Sequence, residues 1–126
     1  KYNFKNPKYF NFVGYVNDKE LSNLYRNAYC LVYPSLNEGF GYPPLEAMYN
    51  GVPVIASAFA SIQEVCRDAV LYVNPMSVYE IKNRINMITT PWIWQEYSDK
   101  GIKRYKEIRK KQDIDLDKLI DYIFQF

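Results

Sequence analysis

The 126 residues suffice for one hydrophobic core, and 48% hydrophobic with 24% charged residues is the balance of an ordinary globular domain. A formal net charge of +2 is too small to argue for nucleic acid, and no such partner is expected. Because the chain contains no histidine, an imidazole base, a His-dependent zinc site and a Ser-His-Asp triad are excluded.

Chemistry here must therefore rest on carboxylates, hydroxyls, cations and backbone amides. Cys30 and Cys66 lie in apolar surroundings at no metal-ligand spacing. They read as small buried hydrophobes in a reducing compartment. Nothing resembles a signal peptide or a membrane span, so the cytoplasm is the expected location.

In chain order, the first predicted strand covers residues 9–13 and closes at Gly14. Asn17 caps a helix, with Glu20 completing a capping box and Leu21, Leu24, Tyr25 and Ala28 forming its apolar face. Residues 30–33 form a short apolar strand, as expected for one buried on both faces. A loop runs from Ser35 to Tyr42, and Pro43 and Pro44 suit the opening of the next helix, which ends at Gly51. Residues 52–56 form a third strand, followed by a capping box at Ser61 and Glu64. Residues 70–73 form the fourth. Ser77 and Glu80 make another capping box before Ile81, Ile85 and Ile88, and two helices follow Pro91, one over 92–111 and one over 116–126. Alternating strands and helices predict an α/β fold with a mostly parallel, Rossmann-like sheet.

The stretch from Pro34 to Glu46 carries the chemistry: a strand end, a glycine-bearing loop and a helix start. Ligands in open α/β sheets bind at the carboxyl ends of strands. Gly39 and Gly41 permit close backbone approach, and the amides opening the helix favour phosphate. Glu38 and Glu46 frame this place, although either acid alone is unremarkable for a loop or a helix start.

Together, Glu38 and Glu46 with seven residues between them resemble the hallmark of glycosyltransferase family 4, and residues 39–45 resemble its usual filling. Three further blocks extend the resemblance: residues 12–16 with Leu21, Leu24 and Tyr25; residues 51–57 with Glu64 and Val65; and residues 68–75. The resemblance implies the donor-binding C-terminal domain of a retaining GT-B enzyme that needs no cofactor or metal. It implies that Glu38 faces the donor sugar as the catalytic-site carboxylate. Glu46 would bond the ribose hydroxyls, since an ionised carboxylate is acceptor-only and suits a vicinal diol. The amides of Gly39, Phe40 and Gly41 would hold sugar hydroxyls, with Tyr42 and Leu45 near the diphosphate. Ser57 is a weaker contact candidate.

The implied partners are a nucleotide-sugar donor, a carbohydrate or lipid-linked acceptor, and an N-terminal acceptor domain, in polysaccharide or glycolipid synthesis. The chain departs from the family pattern in lacking two strands, and the Arg and Lys after the first of them, that precede residue 9 in the family. It thus reads as one partial domain over 1–126, inactive alone. Those strands belong between the strand at 9–13 and the strand at 30–33. The gap is expected to be closed by direct pairing of these two, by a homodimer, or by strands from elsewhere.

Lys100, Lys103, Arg104, Lys106, Arg109, Lys110 and Lys111, interleaved with Ile102, Tyr105 and Ile108, suit either a solvated helix face or peripheral contact with the inner membrane surface. Trp92 and Trp94 are expected to pack the helix pair. Two competing functions remain: a non-catalytic GT-B-like fragment acting as an interaction module, and a sugar-nucleotide epimerase, which the absence of histidine disfavours.

Overall fold

Three short parallel strands organise the structure, a computed structural model that describes residues 7–124. After a single 3-10 turn at Pro7–Tyr9, the order is α1 (Asp18–Asn27), β1 (Leu31–Tyr33), α2 (Tyr42–Tyr49), β2 (Val54–Ser57), α3 (Ala60–Cys66), β3 (Leu71–Val73), α4 (Val78–Ile88) and α5 (Pro91–Phe124). The sheet order is β1-β2-β3, with Leu31 opposite Val54 and Ile55 opposite Leu71. Parallel neighbours need crossover connections, so helices must cover the faces.

β2 is central, and all four of its residues are buried. Val54 and Ala56 join Leu45, Ala47 and Met48 of α2 and Ile62, Val65 and Cys66 of α3 in one core. Ile55 points the other way, into a second core with Leu71, Val73, Ile88 and Ile93. This is the period-2 alternation of a strand covered on both sides.

α5 ties the two cores together. Its first turns contribute Ile93, Trp94 and Tyr97 to the second core, and Tyr105 and Ile108 pack against the first. Gly101 lets α5 approach α2 closely, because a Cβ there would stand 3.2 Å from Met48 Cγ. The Ser98 hydroxyl donates to the Gly51 carbonyl at 2.7 Å, and Arg104 donates to the carbonyls of Val65 and Glu64 at 2.7 and 3.2 Å. Arg104 thus satisfies the carbonyl end of α3, where a cation also complements the helix dipole.

Several expectations hold. Asn17 and Glu20 form the reciprocal capping box of α1, Pro43 and Pro44 sit in the first turn of α2, and Gly51 follows it at φ +70°. Both cysteines are free, and burial pushes the Cys66 thiol up to about 11, against the opposing pull of Arg104.

Others are corrected. Residues 9–13 form no strand, and the sheet has three strands rather than four. A strand exists only with a ladder neighbour, and none of the three strands pairs with this segment. The expected closure of the gap by direct pairing with residues 30–33 therefore does not occur. As an edge, β1 is not buried on both faces, and Val32 is 36% exposed. The capping box at Ser61 is absent: α3 starts two residues earlier than expected, with Phe59 as cap, and the Ser61 hydroxyl donates to the Glu38 carbonyl at 2.9 Å. Ser77 caps α4, but Glu80 accepts from the Asn74 amide instead of returning to the cap. The two C-terminal helices are one 34-residue helix. No proline or glycine interrupts residues 111–116, and an Arg109–Asp113 ion pair at 3.6 Å spans the expected break. The part of the expected second helix at residues 125–126 lies outside the described residues.

Candidate functional site

The site grows from the carboxyl end of β1. Tyr33 ends the strand, Pro34 stops it, and the loop to Gly41 leads into α2. Gly41 caps α2 at φ +86°, a left-handed conformation that costs a glycine little and other residues more. Gly39 has no such φ, and a Cβ there would meet nothing within 4 Å, so its surroundings are open.

No side chain caps the start of α2. Pro43 and Pro44 have no N–H, so the amides available there belong to Gly41 and Tyr42, with Leu45 the next residue that carries one. The side chain of Leu45 is buried in the core. Tyr42 is exposed, and its ring lies tilted against Phe40 with centroids 5.2 Å apart. Phe40 lines a separate groove with Arg67, Arg104 and Lys111.

Glu38 is half-buried and firmly held. The Tyr33 hydroxyl donates to its Oε1, and the Ser35 hydroxyl lies 3.0 Å from the same oxygen. With Ser61 on its backbone carbonyl, Glu38 is anchored by the strand before it and the helix after the next strand. Burial, then the bond to Glu38, pushes the Tyr33 phenol up to about 12, so it stays a proton donor at neutral pH.

Glu46 is exposed on α2 and lines a cleft of about 180 Å³ with Asp18, Leu21, Ser22, Tyr25, Arg26 and Tyr49. Burial first, then the adjoining Glu46 carboxylate, raises the Tyr25 phenol, with Tyr33 adding to the shift. A second groove, on the α5 side of α2, places Glu46 near Tyr105 and Arg109.

The cleft that Glu46 lines does not include Glu38. The two carboxylates are instead related through two tyrosines, Tyr33 beside Glu38 and Tyr25 beside Glu46. At about 180 Å³ the cleft is smaller than the roughly 300–1,000 Å³ of small-molecule sites, so it accommodates only part of a nucleotide sugar. Ser57 ends β2 fully enclosed, its hydroxyl without a hydrogen-bond partner among the described residues.

Sequence reasoning missed Tyr33, Tyr25 and Arg26 as site residues. The signal was present for Tyr33, since a polar-tipped aromatic at the last position of an apolar strand points toward its carboxyl end. Of the basic stretch on α5, Arg104 is used on α3, Lys100 pairs with Glu96 at 2.6 Å and Arg109 with Asp113. With one helix in place of the expected pair, Trp94 packs instead against the second core and donates to the Tyr29 carbonyl at 2.8 Å, whereas Trp92 is exposed. Among the described residues no helix is long and apolar enough to cross a membrane.

A family model described as glycosyl transferases group 1 matches residues 2–112. Over 97 residues the chain is 41% identical to O-antigen chain mannosyltransferase B of Escherichia coli, covering 76% of this chain and 26% of that protein. Over 64 residues it is 52% identical to O-antigen chain mannosyltransferase RfbU of Salmonella typhimurium, covering 51% of this chain and 18% of that protein. The chain thus spans about a quarter or less of these curated relatives. Its structure is similar to that of sucrose-phosphate synthase from Thermosynechococcus elongatus, with a TM-score of 0.79 and 28% identity over 91% of this chain and 30% of that one.

Proposed function

The chain belongs to the glycosyl transferases group 1 family, with the Rossmann-like fold of a GT-B C-terminal lobe, and on that premise we propose that it binds a nucleotide-sugar donor for hexosyl transfer. The observation that carries this reading is the pair Glu38 and Glu46, one at each end of a strand-loop-helix junction whose helix start has no side-chain cap. The named relatives favour a mannosyl donor and polysaccharide synthesis.

In this reading Glu46 accepts from both ribose hydroxyls, and Arg26 in the same cleft adds a cation. The loop amides of Gly39, Phe40 and Gly41 bond sugar hydroxyls, while the amides of Tyr42 and Leu45 border the diphosphate. Glu38 accepts from a ring hydroxyl near the reacting carbon. Transfer proceeds with retention: the acceptor hydroxyl attacks on the face the diphosphate leaves, and a leaving phosphate oxygen takes its proton. No protein histidine is needed for that route, and the protein's task is to position the sugar and stabilise the departing charge. The acceptor site lies on a second domain, so the chain alone binds donor without turning it over.

Calorimetric titration of the chain with GDP-, UDP- and ADP-linked sugars and the free diphosphates tests this. Binding of one nucleotide series, weakened about tenfold or more by Glu46→Ala, is the expected result, since a bond to a charged group contributes about 1.5–3 kcal/mol. Binding untouched by Glu46→Ala removes that residue from the site. The short sheet and small cleft favour a second reading, a non-catalytic interaction module, which no nucleotide binding at all would support.

A further inference from the structure

We infer that Tyr33 is a positioning residue for the donor sugar, fixing the Glu38 carboxylate through Oε1 so that Oε2 is presented to a sugar hydroxyl. The inference rests on the donor-site reading above and deepens it.

The geometry is specific. Both side-chain hydrogen bonds to the Glu38 carboxylate, from Tyr33 and Ser35, arrive at the same oxygen. The Ser35 hydroxyl has one proton and two acceptors within reach, Glu38 Oε1 at 3.0 Å and the Asn37 carbonyl at 3.1 Å. The Tyr33 proton is committed to Glu38, which makes the tyrosine the principal restraint. Tyr33 can bear that role because it is itself fixed: it ends β1 in register with Ala56 of the fully buried central strand, and its ring packs on the larger core. The Ser61 bond holds the Glu38 backbone from the other side of the loop. A carboxylate with one oxygen engaged by a fixed donor and its backbone pinned presents the other oxygen in a narrow range of directions, which is what selecting one hydroxyl of a hexose requires.

The raised phenol supports the role, because Tyr33 remains protonated throughout the range in which Glu38 is needed as an acceptor. Tyr33 touches no substrate in this account. It acts only through Glu38, and that is the testable part.

The experiment uses the full 126-residue chain and titrates the nucleotide sugar and its free diphosphate side by side. Tyr33→Phe keeps the packed ring and removes only the hydroxyl. Affinity for the nucleotide sugar should fall about tenfold, as for one bond to a charged group, while affinity for the free diphosphate stays unchanged. In a Glu38→Ala background, where the tyrosine has no carboxylate to hold, the same Tyr33→Phe change should have no further effect.

Equal loss for both ligands would make Tyr33 a merely structural residue and overturn the inference, as would a full loss persisting in the Glu38→Ala background. A wild-type chain that binds neither ligand overturns the donor-site reading and this inference together. Wild-type binding that Tyr33→Phe leaves intact overturns the tyrosine's role alone.

Discussion

On the β3 flank of the sheet, Leu71 and Val73 are buried beneath α4 and the start of α5; on the β1 flank, Val32 is 36% exposed and α1 buries none of its residues. Both flanks carry the same kind of sequence signal, apolar strands followed by capped helices. The difference is whether a neighbour exists to receive the apolar face. α1 has its capping box and its stripe of Leu21, Leu24 and Tyr25, yet Leu24 stays 44% exposed beside shallow apolar grooves along β1 and residues 13–16. Local rules suffice to start a helix, whereas most of its stability comes from packing. The site straddles this divide. Glu46 rides on α2, which α5 clamps through Gly101 and Met48, while Glu38 hangs from the edge strand and needs Tyr33, Ser35 and Ser61 to hold it.

The largest test of the contrast is truncation on each flank. Ile55→Ala, at the centre of the sheet and fully buried, should lower stability by about 2–5 kcal/mol in urea unfolding, whereas Leu24→Ala on α1 should cost less than about 1 kcal/mol. Equal losses would mean that α1 is packed as well as the core. Next in size, Gly101→Leu drives a side chain into Met48 and should cost about 1–3 kcal/mol in the same measurement; a neutral result would show that α2 and α5 can separate freely.

Asn17→Ala removes the cap of α1 at about 1 kcal/mol. Because α1 is loosely packed, amide exchange should quicken in residues 18–27 while the global urea midpoint barely moves. A matching shift in the midpoint would tie α1 to the cooperative core.

The smallest effect is on the pH dependence. Burial raises the Tyr72 phenol from 10.0 to about 12, with Cys66 and Asp68 adding to it, and its hydroxyl donates to the Arg67 carbonyl at 2.6 Å. Tyr33 is raised to about 12 by burial and Glu38. The folded chain therefore holds these protons more tightly than the unfolded chain does. Their contribution is complete below pH 10 and is lost as pH rises toward 12. Tyr72→Phe should make that decline shallower, read as unfolding midpoints at pH 9, 10 and 11.

The capped helix starts at Asn17 and Ser77, the prolines opening α2 and the glycine after it were legible from sequence because each depends on a few adjacent residues. The spacing of Glu38 and Glu46 was legible for the same reason, and so were three of the four expected strands. The strand at residues 9–13 was not, since a strand is a relation between segments and none of β1, β2 and β3 pairs with these residues. Ser61 looked like a cap and became the anchor of Glu38, because a hydroxyl goes to whichever acceptor the fold brings near.

By itself, then, the sequence determined the alternation of elements, most of their caps and the two carboxylates with seven residues between them, all set by short-range geometry and hydrophobic period. Tertiary structure alone decided that Tyr33 holds Glu38, that Tyr25 meets Glu46 in a cleft shared with Arg26, and that Arg104 closes α3. Those contacts join residues on different elements, and their formation depends on how the sheet and helices close in space.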